Sequence, residues 1–134
     1  MMQQKGSVLV VDDHFAVRQS LAIALATAGW RVETAESGSD AFEKLANKRF
    51  DVLLTDLWMP GVDGVDLIKS SRRSMPTMRV LGMTGGGPGL STETMATLAE
   101  VWGAEEVFYK PFDDALLISA LERFAHESLD GAPS

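Results

Sequence analysis

The sequence predicts an α/β fold, an open sheet of parallel strands with helices on both faces. Three observations predict it: short β-branched apolar runs recur along the chain, helical patterns separate them, and the order is strictly strand then helix. Parallel neighbours need a crossover connection, and right-handed crossovers carry the helices onto the faces of the sheet. The 134 residues suit one compact domain. Its core is expected at about 7–126, with 127–134 as a tail or the start of a linker.

The first strand is SVLVV at 7–11, followed at once by Asp12 and Asp13. Val17, Leu21, Leu25 and Ala28 then fall on one helical face before Gly29, a residue suited to ending a helix. WRVETA at 30–35 alternates as an edge strand does, whereas the runs at 8–11, 52–54 and 80–83 are almost wholly apolar, as strands covered on both faces must be. Ser37 precedes a second helix carrying Phe42, Leu45 and Ala46. DVLLT at 51–55 is the third strand, and Asp63 can cap a third helix carrying Val65 and Ile68. MRVLGM at 78–83 is the fourth strand; the glycine-rich TGGGPGLST then leads into a fourth helix at about 92–102. EEVFY at 105–109 is the fifth strand, and the last helix puts Leu117, Ala120, Leu121 and Phe124 on one stripe.

Composition narrows the function classes. Apolar residues make up 46% and charged residues 23%, the balance of a globular protein. A net charge of −7 argues against a nucleic-acid surface, which shows itself as clustered Lys and Arg. The densest basic stretch, KSSRR at 69–73, reads as a solvated helix end. With no cysteine there is no disulfide framework and no thiolate site. The apolar run at the start meets two aspartates after five residues, which excludes a secretory signal or a membrane span there. A cytoplasmic location is the default expectation. The glycine-rich loop is no phosphate loop of the Walker kind, because no lysine lies between Lys69 and Lys110.

In open α/β sheets the ligand site forms beyond the carboxyl ends of the strands. Those ends carry Asp12 and Asp13, Asp56, Thr84 and Lys110. Singly each has a plain reading: the aspartate pair as helix caps, Asp56 as the opening of a turn, Thr84 as a turn threonine, Lys110 as a surface lysine. Jointly, acid, hydroxyl and amine at four strand ends describe one binding crevice. Crowded carboxylates repel and raise at least one pKa unless a cation offsets them, and a hard divalent ion such as Mg²⁺ suits oxygen ligands best. Phosphoryl transfer asks for in-line positioning and charge neutralisation. Asp56 fits the nucleophile, Lys110 an ion-pairing partner of the phosphoryl oxygens, and Thr84 a hydrogen-bond donor to them.

The four segments VLVVDDH, VLLTDLWMPGVDG, LGMTGGG and VFYKPF, in this order, resemble the receiver domain of bacterial response regulators from residue 7 to about 126. The resemblance implies a flavodoxin-like fold with strand order 2-1-3-4-5 and five helices. It implies that Asp56 takes phosphate from a sensor histidine kinase or a histidine phosphotransfer protein. It further implies that Asp13, Asp56 and the carbonyl of Trp58 bind Mg²⁺, with Asp12 acting through a metal-bound water. A downstream protein partner, and a monomer or weak homodimer, are expected with it.

Two features depart from the family pattern. The position three before the lysine, often aromatic in receivers, is Val107; Tyr109 shares its side of the strand and either takes part of that role or sits at the core edge. The surplus length of 85–90 lies in the glycine-rich loop. Trp58 could shield a phosphoryl group or simply wall the pocket. His14 reads as an exposed first-turn residue, and His126 lies near the end of the last helix. A phosphatase of the haloacid dehalogenase type also uses a strand-end aspartate with Mg²⁺, but needs a second acid two places on, where Trp58 stands. A receiver-like binding module that is never phosphorylated is the other alternative.

Overall fold

The structure is a computed structural model that describes residues 5–59, 64–85 and 91–130. Strands and helices alternate along the chain: β1 (Ser7–Val11), α1 (Phe15–Thr27), β2 (Arg31–Ala35), α2 (Gly38–Asn47), β3 (Val52–Asp56), α3 (Gly64–Ser74), β4 (Arg79–Thr84), α4 (Thr92–Trp102), β5 (Glu106–Tyr109) and α5 (Asp114–Asp130). The strands form one sheet in the order β2-β1-β3-β4-β5. Every neighbouring pair is parallel. This is the expected flavodoxin-like arrangement, and each strand begins within one residue of its expected start.

Strand composition dictates strand position. β1 and β3 are buried along their whole length, while β2 is exposed or half-buried over four of its five residues and lies at an edge, as its alternation predicts. Because successive strand side chains face opposite ways, the central strands divide their residues between two cores. Val8 and Val10 of β1, Val52 and Leu54 of β3, and Leu81 and Met83 of β4 join Leu21 and Leu25 of α1 and Leu117 and Leu121 of α5. Leu9, Val11, Leu53 and Val80 join Leu45 of α2, Leu67 and Ile68 of α3 and Met95 of α4. Each such buried aliphatic side chain contributes about 1.5–3 kcal/mol relative to exposure.

Local signals set the helix ends. Ser37 accepts a hydrogen bond from the Asp40 amide at 3.1 Å to cap α2, and Ser91 accepts one from Thr94 at 3.1 Å to cap α4. Gly29 and Gly103 follow α1 and α4 with φ of 103° and 126°, which only glycine adopts without strain. The expected Asp63 cap of α3 lies outside the described residues, as do 86–90 of the glycine-rich loop and the final 131–134. The tail expected from residue 127 is helical through Asp130, because α5 continues for another turn.

Arg72, on α3, joins three segments: its guanidinium donates to the carbonyls of Gly103 at 3.0 Å, Pro76 at 3.1 Å and Met78 at 2.8 Å. One turn earlier on α3, Lys69 places its ammonium 4.0 Å from the ring centre of Trp102.

The tightest backbone contact brings α3 onto the end of β3. A Cβ at Gly64 would come within 2.0 Å of the Asp56 carbonyl oxygen and 2.7 Å of the Leu57 Cα. Gly64→Ala therefore forces α3 away from β3; a loss of about 3 kcal/mol is expected by urea denaturation, at the upper end of overpacking costs.

Candidate functional site

The site is built at the carboxyl end of the sheet, where the chain reverses direction between β1 and β3. β1 and β3 are in register from Val8 opposite Val52 to Val11 opposite Thr55, so Asp12 and Asp56 leave the sheet side by side. Asp12 is fully buried and Asp56 is 5% exposed. β5 enters two strands away, with Lys110 immediately after Tyr109 and its amide donating to the Thr84 carbonyl at 2.8 Å. From there the Lys110 ammonium donates to Asp12 Oδ2 at 2.8 Å and to Asp56 Oδ2 at 3.2 Å. The Lys110–Pro111 peptide bond is cis.

Each carboxylate is also held from its other side. Asp12 Oδ1 accepts the amide of His14 at 2.9 Å, and Asp56 Oδ1 accepts the amide of Trp58 at 3.3 Å. Arg18, one helical turn beyond His14, donates to the Asp12 carbonyl at 2.8 Å. Met83 at the end of β4 takes the amide of Leu57 at 2.9 Å, which fixes the chain leaving Asp56. Asp13 is exposed, beside its buried neighbour.

Expectation and structure meet residue by residue. Asp12, Asp13 and Asp56 lie together, and with His14 each can offer one ligand atom within 4.8 Å of the others. Lys110 reaches Asp12 and Asp56. Thr84 ends β4 as a buried residue opposite Tyr109, its carbonyl bound to Lys110. Trp58 follows Asp56 with its ring 42% exposed. Val107 is partly buried against the α2–α4 core, whereas Tyr109 is 47% exposed at the end of β5, a surface ring rather than a core-edge one.

His14 and Arg18 are the members that sequence reasoning missed. His14 is exposed, as expected, yet its Nδ1 lies 3.3 Å from Asp12 Oδ1 and 3.2 Å from Asp13 Oδ1. Its position directly after the aspartate pair was the available signal. His126 lies where no side chain is described.

The electrostatics of the pocket are unbalanced. Burial pushes the Asp56 carboxyl pKa up, the Lys110 charge pulls it back, and the neighbouring Asp12 charge raises it again, leaving it above the ordinary value. Burial also opposes the charge on Lys110, but its hydrogen bond to Asp12 and the fields of Asp56 and Asp12 prevail and hold its pKa above the ordinary lysine value. Three carboxylates thus gather where one ammonium enters. The donor set is hard oxygen with room for further negative charge only if a cation joins it, which fits Mg²⁺.

Comparison with known proteins agrees with this geometry. The family profile of the response regulator receiver domain matches residues 8–122. The DNA-binding transcriptional regulator NtrC of Escherichia coli K12 is 40% identical over 120 residues, 90% of this chain and 25% of the regulator. The chain therefore spans a quarter of the length of that relative. A CheY-like receiver domain from Methanospirillum hungatei shares the fold with a TM-score of 0.84, at 24% identity over 98% of this chain and 99% of that one. The beryllofluoride-activated NtrC4 receiver domain, solved as a dimer, has a TM-score of 0.80 and 32% identity over 90% of this chain and 97% of its own. No helix among the described residues is long and apolar enough to cross a membrane.

The raised Asp56 pKa carries a testable sign. A carboxyl whose pKa is higher folded than unfolded costs stability once pH rises through the unfolded value of 3.8 and on past the folded one. In metal-free buffer Asp56→Asn should thus have a higher urea midpoint than the parent at pH 7, and the difference should close as the pH is lowered toward 3.8.

Proposed function

Because this chain belongs to the response regulator receiver domain family, we propose that Asp56 is the residue on which it accepts a phosphoryl group in two-component signalling. The observation that supports this role is the convergence of the Lys110 ammonium on Asp56 and Asp12 at the carboxyl end of the sheet. Asp56 Oδ attacks the phosphorus of a phosphohistidine donor, a P–O bond forms as the P–N bond breaks, and the imidazole leaves. Lys110 balances charge on one phosphoryl oxygen, and the Thr84 hydroxyl donates to another. Asp13, Asp56 and the Trp58 carbonyl would hold Mg²⁺, with Asp12 acting through a bound water. When present, the ion supplies positive charge for the acidic pocket and the incoming phosphate.

The donor is a sensor histidine kinase or a histidine phosphotransfer protein. The product is a switch that changes protein contacts rather than a turnover enzyme, although the pocket assists its own phosphorylation and dephosphorylation. A monomer or weak homodimer that meets its downstream partner through the folded surface, in the cytoplasm, completes the reading; this domain itself contacts no nucleic acid. The whole stretch 1–134 acts as one receiver domain.

Incubation with acetyl phosphate and Mg²⁺, followed by intact-mass measurement, tests the assignment. The chain should gain one labile phosphoryl group; Asp56→Asn, or a chelator in place of the ion, should reduce the adduct to background. Equal adduct on the Asn variant would move the acceptor elsewhere. Continuous release of phosphate with no adduct would point to a hydrolase instead.

A further inference from the structure

His14 is the member of the acidic cluster to which the phosphoacceptor reading gives no task. It stands at the turn between β1 and α1, with extended backbone angles of −91° and 114°. The bond from its amide to Asp12 Oδ1, 2.9 Å long, fixes the start of the side chain beside the aspartate pair. The ring is well exposed, with 69% of its side-chain surface open, so no packing forces it toward the carboxylates. It nevertheless turns one nitrogen to both of them.

Hydrogen bonding accounts for only part of this arrangement. Nδ1 carries at most one proton, and it has two carboxylate oxygens at 3.2 and 3.3 Å, on Asp13 and Asp12, both at the long end for a hydrogen bond. Ligand spacing around a metal ion accounts for both separations. Four ligands held tetrahedrally at about 2.0–2.1 Å stand roughly 3.3 Å from one another, and neighbouring ligands of an octahedral ion roughly 3.0 Å. The remaining acid, Asp56, also offers an oxygen within the 4.8 Å span of the cluster.

We infer that His14 Nδ1 is a direct ligand in the cation pocket, making it a mixed imidazole–carboxylate site that binds zinc, or a similar divalent transition-metal ion, more tightly than Mg²⁺. The chemistry follows from ligand softness. Magnesium gains little from a nitrogen donor, whereas imidazole suits zinc, nickel and copper, and zinc accepts a coordination sphere of one imidazole with carboxylates. The inference rests on the proposal that this pocket holds a cation. Its consequence is that transition-metal ions compete for the position that supports phosphoryl acceptance.

Calorimetric titrations of the full chain with Zn²⁺ and, separately, Mg²⁺ test it, on the parent, His14→Asn and Asp13→Asn, together with NMR of the imidazole nitrogens during the Zn²⁺ titration. The parent should prefer Zn²⁺, and His14→Asn should lower the Zn²⁺-to-Mg²⁺ affinity ratio by about tenfold or more while Mg²⁺ binding persists. The His14 Nδ1 resonance, identified by its absence from the Asn variant, should shift with Zn²⁺ occupancy. An unchanged ratio in His14→Asn, or a stationary Nδ1 resonance while Zn²⁺ binds, overturns the ligand role and leaves the cation pocket standing. Binding of neither ion to the parent, or binding of both undiminished in Asp13→Asn, overturns the cation pocket and the ligand role with it.

Discussion

The structure depends on one lysine side chain that reaches two buried acids across the end of another strand. β5 is separated from β3 by β4 and from β1 by β3 as well. At roughly 4.8 Å per strand, the Lys110 backbone starts about 10 Å from that of Asp56. A flexible four-carbon stem ending in a compact ammonium can span that gap. Without it Asp12 and Asp56 would be desolvated charges with backbone amides as their remaining partners. The strand order, the depth of the acids and the lysine after β5 are therefore one arrangement.

The pocket is also left electrostatically incomplete. Its lysine holds the acids together, yet Asp56 stays less acidic than an ordinary carboxyl because burial and Asp12 outweigh the ammonium. A phosphoryl group adds further negative charge to the same place. A receiver pocket built this way accepts phosphate readily only with a divalent ion beside it, which ties the switch to its ionic surroundings as well as to its donor.

Much of this was legible in the amino-acid sequence, for physical reasons that differ by element. The buried central strands are readable because covering both faces demands uninterrupted apolar runs, as in Val8–Val11 of β1. Asp12, Asp56, Thr84 and Lys110 are readable because strand ends in a parallel sheet share one rim. Side-chain direction is not carried by such patterns. That His14 turns toward the acids, or that Arg18 finds the Asp12 carbonyl, depends on rotamers chosen in three dimensions. Tyr109 shows the same limit, since alternation gives its side of β5 but not that the sheet ends there and leaves the ring in solvent. The length of α5 escaped because ESLD at 127–130 has no helix breaker before Gly131 and little apolar stripe to mark it.

The bonds of Arg72 have a mechanical meaning. They clasp the Gly103 carbonyl at the far end of α4 to the carbonyls of Pro76 and Met78, and the stacking of Lys69 on Trp102 secures the same end. The near end of α4 is joined to β4 through the loop after Thr84, beside Lys110. A helix pinned in this way is a lever with its fulcrum at the last turn. Any displacement that begins beside the acids is smallest at Trp102 and greatest at Ser91, so the stroke available to a partner lies along the first turns of α4.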